Sequence, residues 1–300
     1  MLTIFTTPKA FKGRFADIQE NAILSWSKLS PKCEIILLGD EDGVREIAGK
    51  YGLRHIPRIK LSKEGTPIVS DLFSQAERAA KYPLLAYINS DLIMLSECLP
   101  KISEISSKKF LIIGQRWDFD TKKENIFRGN WKKDFTKKVQ KEGNIRSIKA
   151  VDYFIFPRGL DLEIPPFIIG RSVWDNWFLY QAKKKNIPLV DASSVITAVH
   201  QNHDYSHAGG LEKILSGSER QINILLDPDR SHAFDLANVD LILTPRGLIK
   251  PRHSIYRTWK ALRVFPILHP RAGLLLNPPI LFLQYIIDHF RIFEKKKFNR

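Results

Sequence analysis

The sequence predicts an α/β protein with a doubly wound, mostly parallel sheet flanked by helices. In the first half of the chain, short apolar runs alternate with stretches that place apolar residues at helical spacing. Three of the apolar runs end in polar clusters, which are Thr6–Lys9, Gly39–Glu41 and Asn89–Asp91. Ligands of such sheets bind beyond the carboxyl ends of the strands, so these clusters are expected to line a site.

The predicted strands are short apolar runs bounded by turn-forming or polar residues. They are Leu2–Thr7, Glu34–Leu38, Arg54–Pro57, Leu84–Ile88, Phe110–Gly114, Asp152–Phe156, Leu189–Val190 and Ser194–Val199. The predicted helices carry apolar stripes within residues 15–26, 44–51, 72–80 and 174–185. After residue 115 the alternation becomes less regular, and the lysine-rich segment Lys122–Lys149 is expected to form an excursion or a lid.

Length and composition limit the class of protein. The chain has 300 residues, of which 44% are hydrophobic and 26% charged, and these values exclude a disordered or low-complexity chain. Its two cysteines exclude a disulfide framework and a four-cysteine zinc site. The first residues carry no secretory signal, so a cytoplasmic location is expected. The predicted organisation is a domain over residues 1–250 and a basic, apolar helical extension over 251–300.

The net charge of +15 is concentrated in two segments. Residues 101–150 hold 14 basic and six acidic residues, and residues 251–300 hold ten and two. Such patches attract nucleic acid, phosphorylated substrates or anionic membranes. The absence of helix-turn-helix, zinc-finger and RNP-like patterns argues against nucleic acid.

The apolar run Ile280–Phe293 is followed by Lys295–Lys297. It is too short to span a bilayer, which needs about 20 residues. Three interpretations stay open: a helix in the membrane interface, a helix docked on its own domain, and a dimer contact.

Two polar motifs contain metal-ligand residue types. Asn89 and Asp91 follow a predicted strand two residues apart, a spacing that suits a divalent cation between protein and diphosphate. The alternative is that Ser90 and Asp91 cap a helix. The run from His200 to His207 contains three of the eight histidines, and one of them could complete the coordination of a metal at Asp91. A structural zinc site and an ordinary polar loop are the alternatives.

Other acidic and basic residues are candidates for catalysis and binding. Asp175 lies in the first turn of a predicted helix between two tryptophans, where burial would raise its pKa as a general base requires. The alternative is a cap residue beside a tryptophan core. Arg116 follows a predicted strand and could face phosphates, whereas Asp118 and Asp152 could bind sugar hydroxyls. For these three the alternative is a surface ion pair.

Seven segments together resemble the GT-A glycosyltransferases, which share the nucleotide-diphospho-sugar transferase fold. They are Thr3–Lys9, Leu37–Glu41, Gly65–Phe73, Tyr87–Leu92, Asp152–Gly159, Ile164–Trp177 and Val199–His207, and they cover roughly residues 1–210. The closer resemblance is to a sparsely characterised group of predicted glycosyltransferases within that fold. The long late segments are the most specific.

The resemblance implies a role for each matching residue. Asn89-Ser90-Asp91 would take the place of the D-x-D metal motif, although Asn89 departs from it, and His200 would be the late metal-binding histidine. Asp175 would be the base that deprotonates the acceptor in inverting enzymes. Predicted donor-binding residues are Thr6, Thr7, Asp40, Asn89, Ser90 and Arg116. Predicted acceptor-binding residues are Trp117, Asp118, Asp152, Trp174, Asn176 and His203.

The function that follows is a glycosyltransferase, inverting and dependent on Mn²⁺ or Mg²⁺, with a nucleoside-diphosphate sugar as donor. A glycan or lipid-linked acceptor and a peripheral position on the inner face of the membrane are expected. The alternative is an inactive protein of the same fold that binds nucleotide or recruits partners to a membrane. A sugar nucleotidyltransferase needs an early glycine-rich loop, and residues 1–20 contain only Gly13.

Overall fold

The computed structural model describes residues 1–96, 102, 105, 107–121, 127, 129–203, 216–227, 234–273 and 281–283. The strands are β1 Leu2–Thr6, β2 Glu34–Leu38, β3 Arg54–Ile56, β4 Leu84–Ile88, β5 Leu92–Ser96, β6 Leu111–Ile113, β7 Arg116–Phe119, β8 Asn144–Ile145, β9 Tyr153–Pro157, β10 Leu189–Asp191, β11 Ile196–Gln201, β12 Leu241–Thr244 and β13 Gly247–Ile249. The helices are α1 Gly13–Ser27, α2 Val44–Tyr51, α3 Val69–Ala79, α4 Trp131–Glu142, α5 Trp174–Lys184, α6 Ser218–Leu225 and α7 Ile255–Leu268, with a 3-10 turn at Leu236–Asn238.

The central sheet has nine strands in the order β13-β12-β10-β6-β9-β4-β1-β2-β3. Seven strands run in one direction, and β9 and β13 run against them. This arrangement confirms the predicted mostly parallel sheet. The antiparallel pairing of β4 with β9 sets Ile88 beside Tyr153, so the carboxyl end of β4 meets the start of β9.

Helices cover both faces of the central sheet because successive strand residues point to opposite sides. On β1, Phe5 packs against Phe73 of α3, with ring centroids 4.9 Å apart. Its neighbour Ile4 belongs to the core on the other face, which contains Trp26 of α1. The doubly wound prediction is therefore confirmed.

A second sheet of four strands, in the order β5-β11-β7-β8, was not predicted. The predicted strand Ser194–Val199 is observed as β11 and lies in this sheet, between β5 and β7. The expected irregular excursion contains α4, whose Trp131, Phe135 and Val139 pack on β5 and β11. Those apolar residues recur every four positions and form a buried stripe among the lysines, which is why this part of the excursion is a regular helix.

The beginning of the predicted C-terminal extension packs on the preceding domain. The Lys260 ammonium of α7 lies 2.7 Å from Oδ2 of Asp235 at the 3-10 turn, and both side chains are buried. Ser254 caps α7 by accepting a hydrogen bond from the Arg257 amide at 3.2 Å. The predicted membrane segment 280–297 lies outside the described residues except for 281–283. No helix among the described residues combines the length and apolarity needed to cross a bilayer.

Candidate active site

The turn after β4 fixes Asn89 and Ser90 by hydrogen bonds. Asn89 donates to Oδ1 of Asp152 at 2.8 Å and accepts from the Tyr87 hydroxyl at 2.9 Å. Ser90 donates to the Gln19 side chain of α1 at 3.0 Å. The chain then enters strand β5, so the alternative that Ser90 and Asp91 cap a helix is wrong.

Asp91, His200 and His203 meet at one point. Oδ2 of Asp91 lies 3.2 Å from Nε2 of His203 and 3.7 Å from Nε2 of His200. One ligand atom from each of the three residues lies within 4.8 Å of the others. Oδ1 of Asp91 is buried and has no hydrogen-bond partner in the described part of the chain. One carboxylate oxygen and two imidazole nitrogens at this spacing fit a divalent cation.

The second sheet brings the two histidines to Asp91. On β11, His200 pairs with Leu92 on one side and with Asp118 of β7 on the other. His203 follows two residues after β11 ends. Nδ1 of His200 lies 3.5 Å from Oδ1 of Asp118, so a carboxylate faces the ring nitrogen that is turned away from Asp91. Nδ1 itself is buried and makes no hydrogen bond within the described part of the chain. His207 and Asp204 of the same motif lie outside the described residues.

The ionisation states of Asp91 and His200 suit metal binding. Burial would raise the pKa of Asp91, but the hydrogen bond with His203 and electrostatic interactions with His200 and Lys9 lower it below its usual value. Burial lowers the pKa of His200, although Asp91 opposes the shift, and the ring is therefore neutral at pH 7. An ionised carboxylate and neutral imidazoles are the forms that bind cations.

Lys9 is a functional candidate to which the sequence interpretation gave no role. Its Nζ lies 4.9 Å from the centre of the Phe15 ring, and that ring lies 5.0 Å from the His203 ring. Burial lowers the pKa of Lys9 to about 8, with Asp91 opposing the shift and Arg171 adding to it. The sequence signal that could have identified Lys9 is its place in the polar cluster that follows β1.

An ion-pair network joins β7 to the start of β9. Arg116 lies 3.0 Å from Asp118 through Nε and 2.5 Å from Asp152 through Nη1. Between 12% and 17% of each side chain is exposed. The alternative of a surface ion pair is therefore right that these residues pair but wrong that they lie at the surface. The network also meets the metal-ligand candidates: Asn89 donates a hydrogen bond to Asp152, and His200 lies beside Asp118.

Asp175 feels the charges of Asp152 and Arg116 from this network but has a different environment. It occupies the first turn of α5, where the cap residue is Val173, so the alternative that Asp175 is the cap is wrong. Its Oδ1 is buried without a hydrogen-bond partner in the described residues. Burial raises the pKa of Asp175 to about 7; the Asp152 charge adds to this, whereas the Asn176 amide and Arg116 oppose it.

The tryptophans beside Asp175 belong to the core, as the alternative interpretation of a tryptophan core predicted. Trp174 is 6% exposed, and its ring lies 5.4 Å from Tyr87 and 5.6 Å from Phe154. Asn176 donates to the Phe234 carbonyl at 2.8 Å. Trp117 lies on β7 and packs partly buried beside α4. Acceptor binding by these side chains stays a prediction.

The predicted nucleotide-binding residues Thr6, Thr7 and Asp40 lie together at the ends of β1 and β2. Gly39 has φ of 101°, and a Cβ there would lie 3.5 Å from Oγ1 of Thr7. Asp40 is half exposed and lies 3.8 Å from Nε2 of His55, which also contacts the Gly39 carbonyl at 2.8 Å. The hydroxyl oxygen of Thr6 is buried without a hydrogen-bond partner among described residues.

Comparison with known proteins gives a result at the level of the fold. No protein-family model matches the sequence, and no curated protein matches it. The structure of S. aureus TarS 1-349 with UDP-GlcNAc matches with a TM-score of 0.50 and 13% identity, over 89% of this chain and 72% of that one. The chain has the GT-A fold. Glucosyl-3-phosphoglycerate synthase from Mycobacterium tuberculosis, in complex with Mn²⁺, UDP and glucosyl-3-phosphoglycerate, matches with a TM-score of 0.43 and 16% identity, over 75% and 77% of the two chains.

In this GT-A fold, hydrogen bonds and ion pairs join the Asp91 cluster to the Arg116 network, and the charges of Arg116 and Asp152 act on Asp175. These groups include Asn89, Asp118, Asp152, His200 and His203 among the residues that the sequence singled out. The Asp40 group lies beyond β1 and β2 and makes no hydrogen bond or ion pair with that network within the described part of the chain. The site therefore has two chemically different carboxylates: Asp91 lies beside histidines, and Asp175 has a pKa raised by burial.

Proposed function

We propose that this chain is a metal-assisted glycosyltransferase that moves a sugar from a nucleoside-diphosphate sugar to an acceptor hydroxyl. The observation that carries the proposal is a metal-ligand cluster joined to the Arg116 network, together with a separate carboxyl, that of Asp175, which has one buried oxygen and feels the charges of the same network. The pKa of the first carboxylate is lowered and that of the second is raised to about 7. Carboxylates whose pKa values are pushed apart in this way are suited to separate roles.

Asp91, His200 and His203 would hold the divalent cation. The orphaned Oδ1 of Asp91 and the two imidazole nitrogens fit such an ion. Nitrogen ligands favour Mn²⁺ over Mg²⁺, which prefers oxygen. When bound, the cation would supply positive charge against the diphosphate leaving group. This role for His203 replaces the predicted acceptor contact, because its nitrogen lies 3.2 Å from Asp91.

Asp175 would act as the general base. The ionised carboxylate would accept the proton of the acceptor hydroxyl while the hydroxyl oxygen bonds to the anomeric carbon. The bond from that carbon to the diphosphate would break, and its electron pair would leave with the diphosphate. A pKa of about 7 leaves an appreciable ionised fraction at neutral pH and a strong enough base. Attack opposite the leaving group would invert the anomeric configuration.

Donor and acceptor would occupy different parts of the site. Thr6, Thr7 and Asp40 would hold the nucleoside, as the resemblance implies. Asp118 and Asp152 are engaged by Arg116, so their first role would be to orient His200 and Asn89. The fold match with S. aureus TarS, whose structure holds UDP-GlcNAc, makes uridine-diphosphate sugars the first donors to test.

The acceptor class and location rest on charge. Ten basic against two acidic residues in 251–300, with an apolar run before Lys295–Lys297, favour an anionic membrane surface. A lipid-linked or glycan acceptor and a peripheral cytoplasmic position would follow. Loss of vesicle binding after removal of residues 280–300 would support this; unchanged binding would contradict it.

A thermal-shift experiment tests the proposed donor and cation. The protein is heated with UDP, GDP, CDP or ADP, each with and without Mn²⁺, because a ligand that binds the folded state raises the melting temperature. Stabilisation by one diphosphate only with Mn²⁺, lost in Asp91→Ala, is expected. Binding without turnover of any sugar donor would favour the inactive nucleotide-binding alternative. No shift with any nucleotide would contradict the transferase.

A further inference from the structure

Helix α6 contains two buried polar residues that the proposed chemistry does not use. Glu219 is 2% exposed and Asn223 is fully buried. Both hydrogen-bond to the segment that precedes Asp175 rather than to the metal-ligand cluster. Buried polar side chains are costly unless they are satisfied, so their placement requires a reason.

Asn223 fixes both ends of the segment Ile168–Ser172. Its Oδ1 accepts from the Ile168 amide at 2.8 Å, and its Nδ2 donates to the Ile168 carbonyl at 2.9 Å and to the Ser172 carbonyl at 3.3 Å. Arg220 on the same helix donates from Nε to the Ser172 hydroxyl at 2.9 Å. The segment just before α5 is therefore anchored to α6 through its main chain by Asn223 and through the Ser172 hydroxyl by Arg220.

Glu219 holds the same segment to the loop after β3. Oε2 lies 2.5 Å from Nη2 of Arg171 and accepts from the Thr66 hydroxyl at 2.9 Å, while Oε1 accepts from Ser62. Burial would raise the pKa of Glu219, but the bonds from Ser62 and Thr66 and the charge of Arg171 lower it. The carboxylate is therefore ionised and fully engaged in holding the segment.

Between this anchored segment and Asp175 the backbone is strained. Val173 has φ of 98° and ψ of −48°, a conformation that β-branched residues very rarely adopt. Such strain costs of the order of 1–3 kcal/mol and persists only where the surrounding structure imposes it. Here α6 holds Ser172 on one side, and the Val173 carbonyl accepts from the Trp177 amide of α5 on the other, at 3.0 Å.

We propose that Asn223 and Glu219 are positioning residues that hold the strained turn at Val173 and thereby keep Oδ1 of the Asp175 carboxyl buried. This inference rests on the proposed function, because it assigns the burial of that oxygen to the use of Asp175 as a base. The charged groups that face Asp175 are Asp152 and Arg116, which belong to other elements and are not contacted by α6 in the described structure. A change on α6 therefore reaches Asp175 through the backbone.

The test is the titration of Asp175 in the full chain without substrate or metal. Carbon-13 NMR of labelled aspartate carboxyls follows the protein from pH 4 to pH 9, and Asp175→Asn assigns the resonance. In Asn223→Ala, water entering beside Asp175 is expected to lower its pKa by about one unit or more. Glu219→Gln and the milder Arg220→Ala are expected to give smaller shifts in the same direction. Gln221→Ala, an exposed change on the same helix, is expected to give none.

Melting temperatures measured on the same samples show that each variant is folded. An Asp175 titration that stays at the wild-type value in folded Asn223→Ala and Arg220→Ala would overturn the proposal. So would an equal shift in Gln221→Ala. This outcome is separate from the proposed function, because retained turnover in Asp175→Asn would remove the base role without changing the titration result.

Discussion

Asp91 and Asp175 each have one buried carboxylate oxygen, and both interact electrostatically with Arg116, yet their environments differ. Asp91 has two histidines within 3.7 Å and feels the charge of Lys9. Asp175 has a buried oxygen without a hydrogen-bond partner in the described residues and feels the negative charge of Asp152. Burial raises the pKa of each carboxyl, but only the partners of Asp91 reverse that effect.

The difference shows that local partners, rather than depth, set the protonation state of this site. An always-ionised carboxylate suits cation binding, and one that titrates near neutrality suits proton transfer. The two sheets produce the contrast: the second sheet brings histidines to Asp91, whereas Asp175 enters from α5 among aromatic side chains. Four predictions test this comparison, beginning with the largest expected effect.

Replacing Asp91 with Asn is expected to remove cation binding at the Asp91 cluster. The variant keeps the side-chain volume but loses the ionised ligand, so kcat/KM with Mn²⁺ is expected to fall by about 10³-fold or more. Steady-state kinetics and Mn²⁺ titration measure the effect. Asp134→Asn, an exposed change on α4, serves as the control. Activity in Asp91→Asn that still requires Mn²⁺ at wild-type affinity would contradict the assignment.

Replacing Asp175 with Asn is expected to remove proton transfer from the acceptor hydroxyl and to leave cation binding intact. A reduction of about 10² to 10⁴-fold in kcat is expected, with Mn²⁺ affinity and donor KM changed little. Wild-type kcat/KM is expected to rise through pH 7, because the base must be ionised, and this rise is expected to disappear in the variant. Glu46→Gln changes an acidic residue in the first turn of the exposed helix α2 and is the matched control. A normal pH profile in Asp175→Asn would refute the base role.

The same variant is expected to change the pH dependence of stability. The folded-state pKa of Asp175 is raised from 3.8 to about 7, so the folded protein holds a proton that the unfolded chain releases. Wild-type stability is therefore lost as pH rises from about 4 to above 7, by up to roughly 4 kcal/mol from this group. Asp175→Asn is expected to be relatively more stable at pH 8 than at pH 5. Denaturant unfolding at both pH values measures this, and an unchanged difference would contradict the buried, neutral carboxyl.

The central sheet could be predicted from sequence because its strands are local apolar runs such as Glu34–Leu38 and Leu84–Ile88. The second sheet could not, because β5, β7 and β8 pair residues far apart in the chain and β7 carries Arg116 and Asp118 within it. Short, half-polar strands give little alternation to detect. Their pairing is set by tertiary contacts rather than by local pattern.

The candidate site shows the same limit. Asp91, His200 and Asp175 could be selected because each follows or begins a predicted element. The distance between His203 and Asp91 depends on the register of β11, which no local pattern specifies. Lys9 and the anchoring residues on α6 could not be given roles, because burial and the bonds across the fold define them.

The smallest expected effect concerns Asn89, where the sequence departs from a full D-x-D motif. Asn89→Asp would restore the motif, but in this structure the Asn89 amide donates to Asp152 at 2.8 Å. A carboxylate there would face another carboxylate and lose that bond, so like-charge repulsion would offset any gain at the cation. Mn²⁺ affinity is expected to change by less than about threefold, with a lower melting temperature at pH 8 than at pH 5 relative to wild type. Isothermal titration and thermal unfolding measure the two quantities, and Ser90→Ala, which leaves Asp152 satisfied, is the control. A gain in Mn²⁺ affinity of tenfold or more would show that Asn89 faces the cation rather than Asp152, and the two halves of the site would then share a ligand.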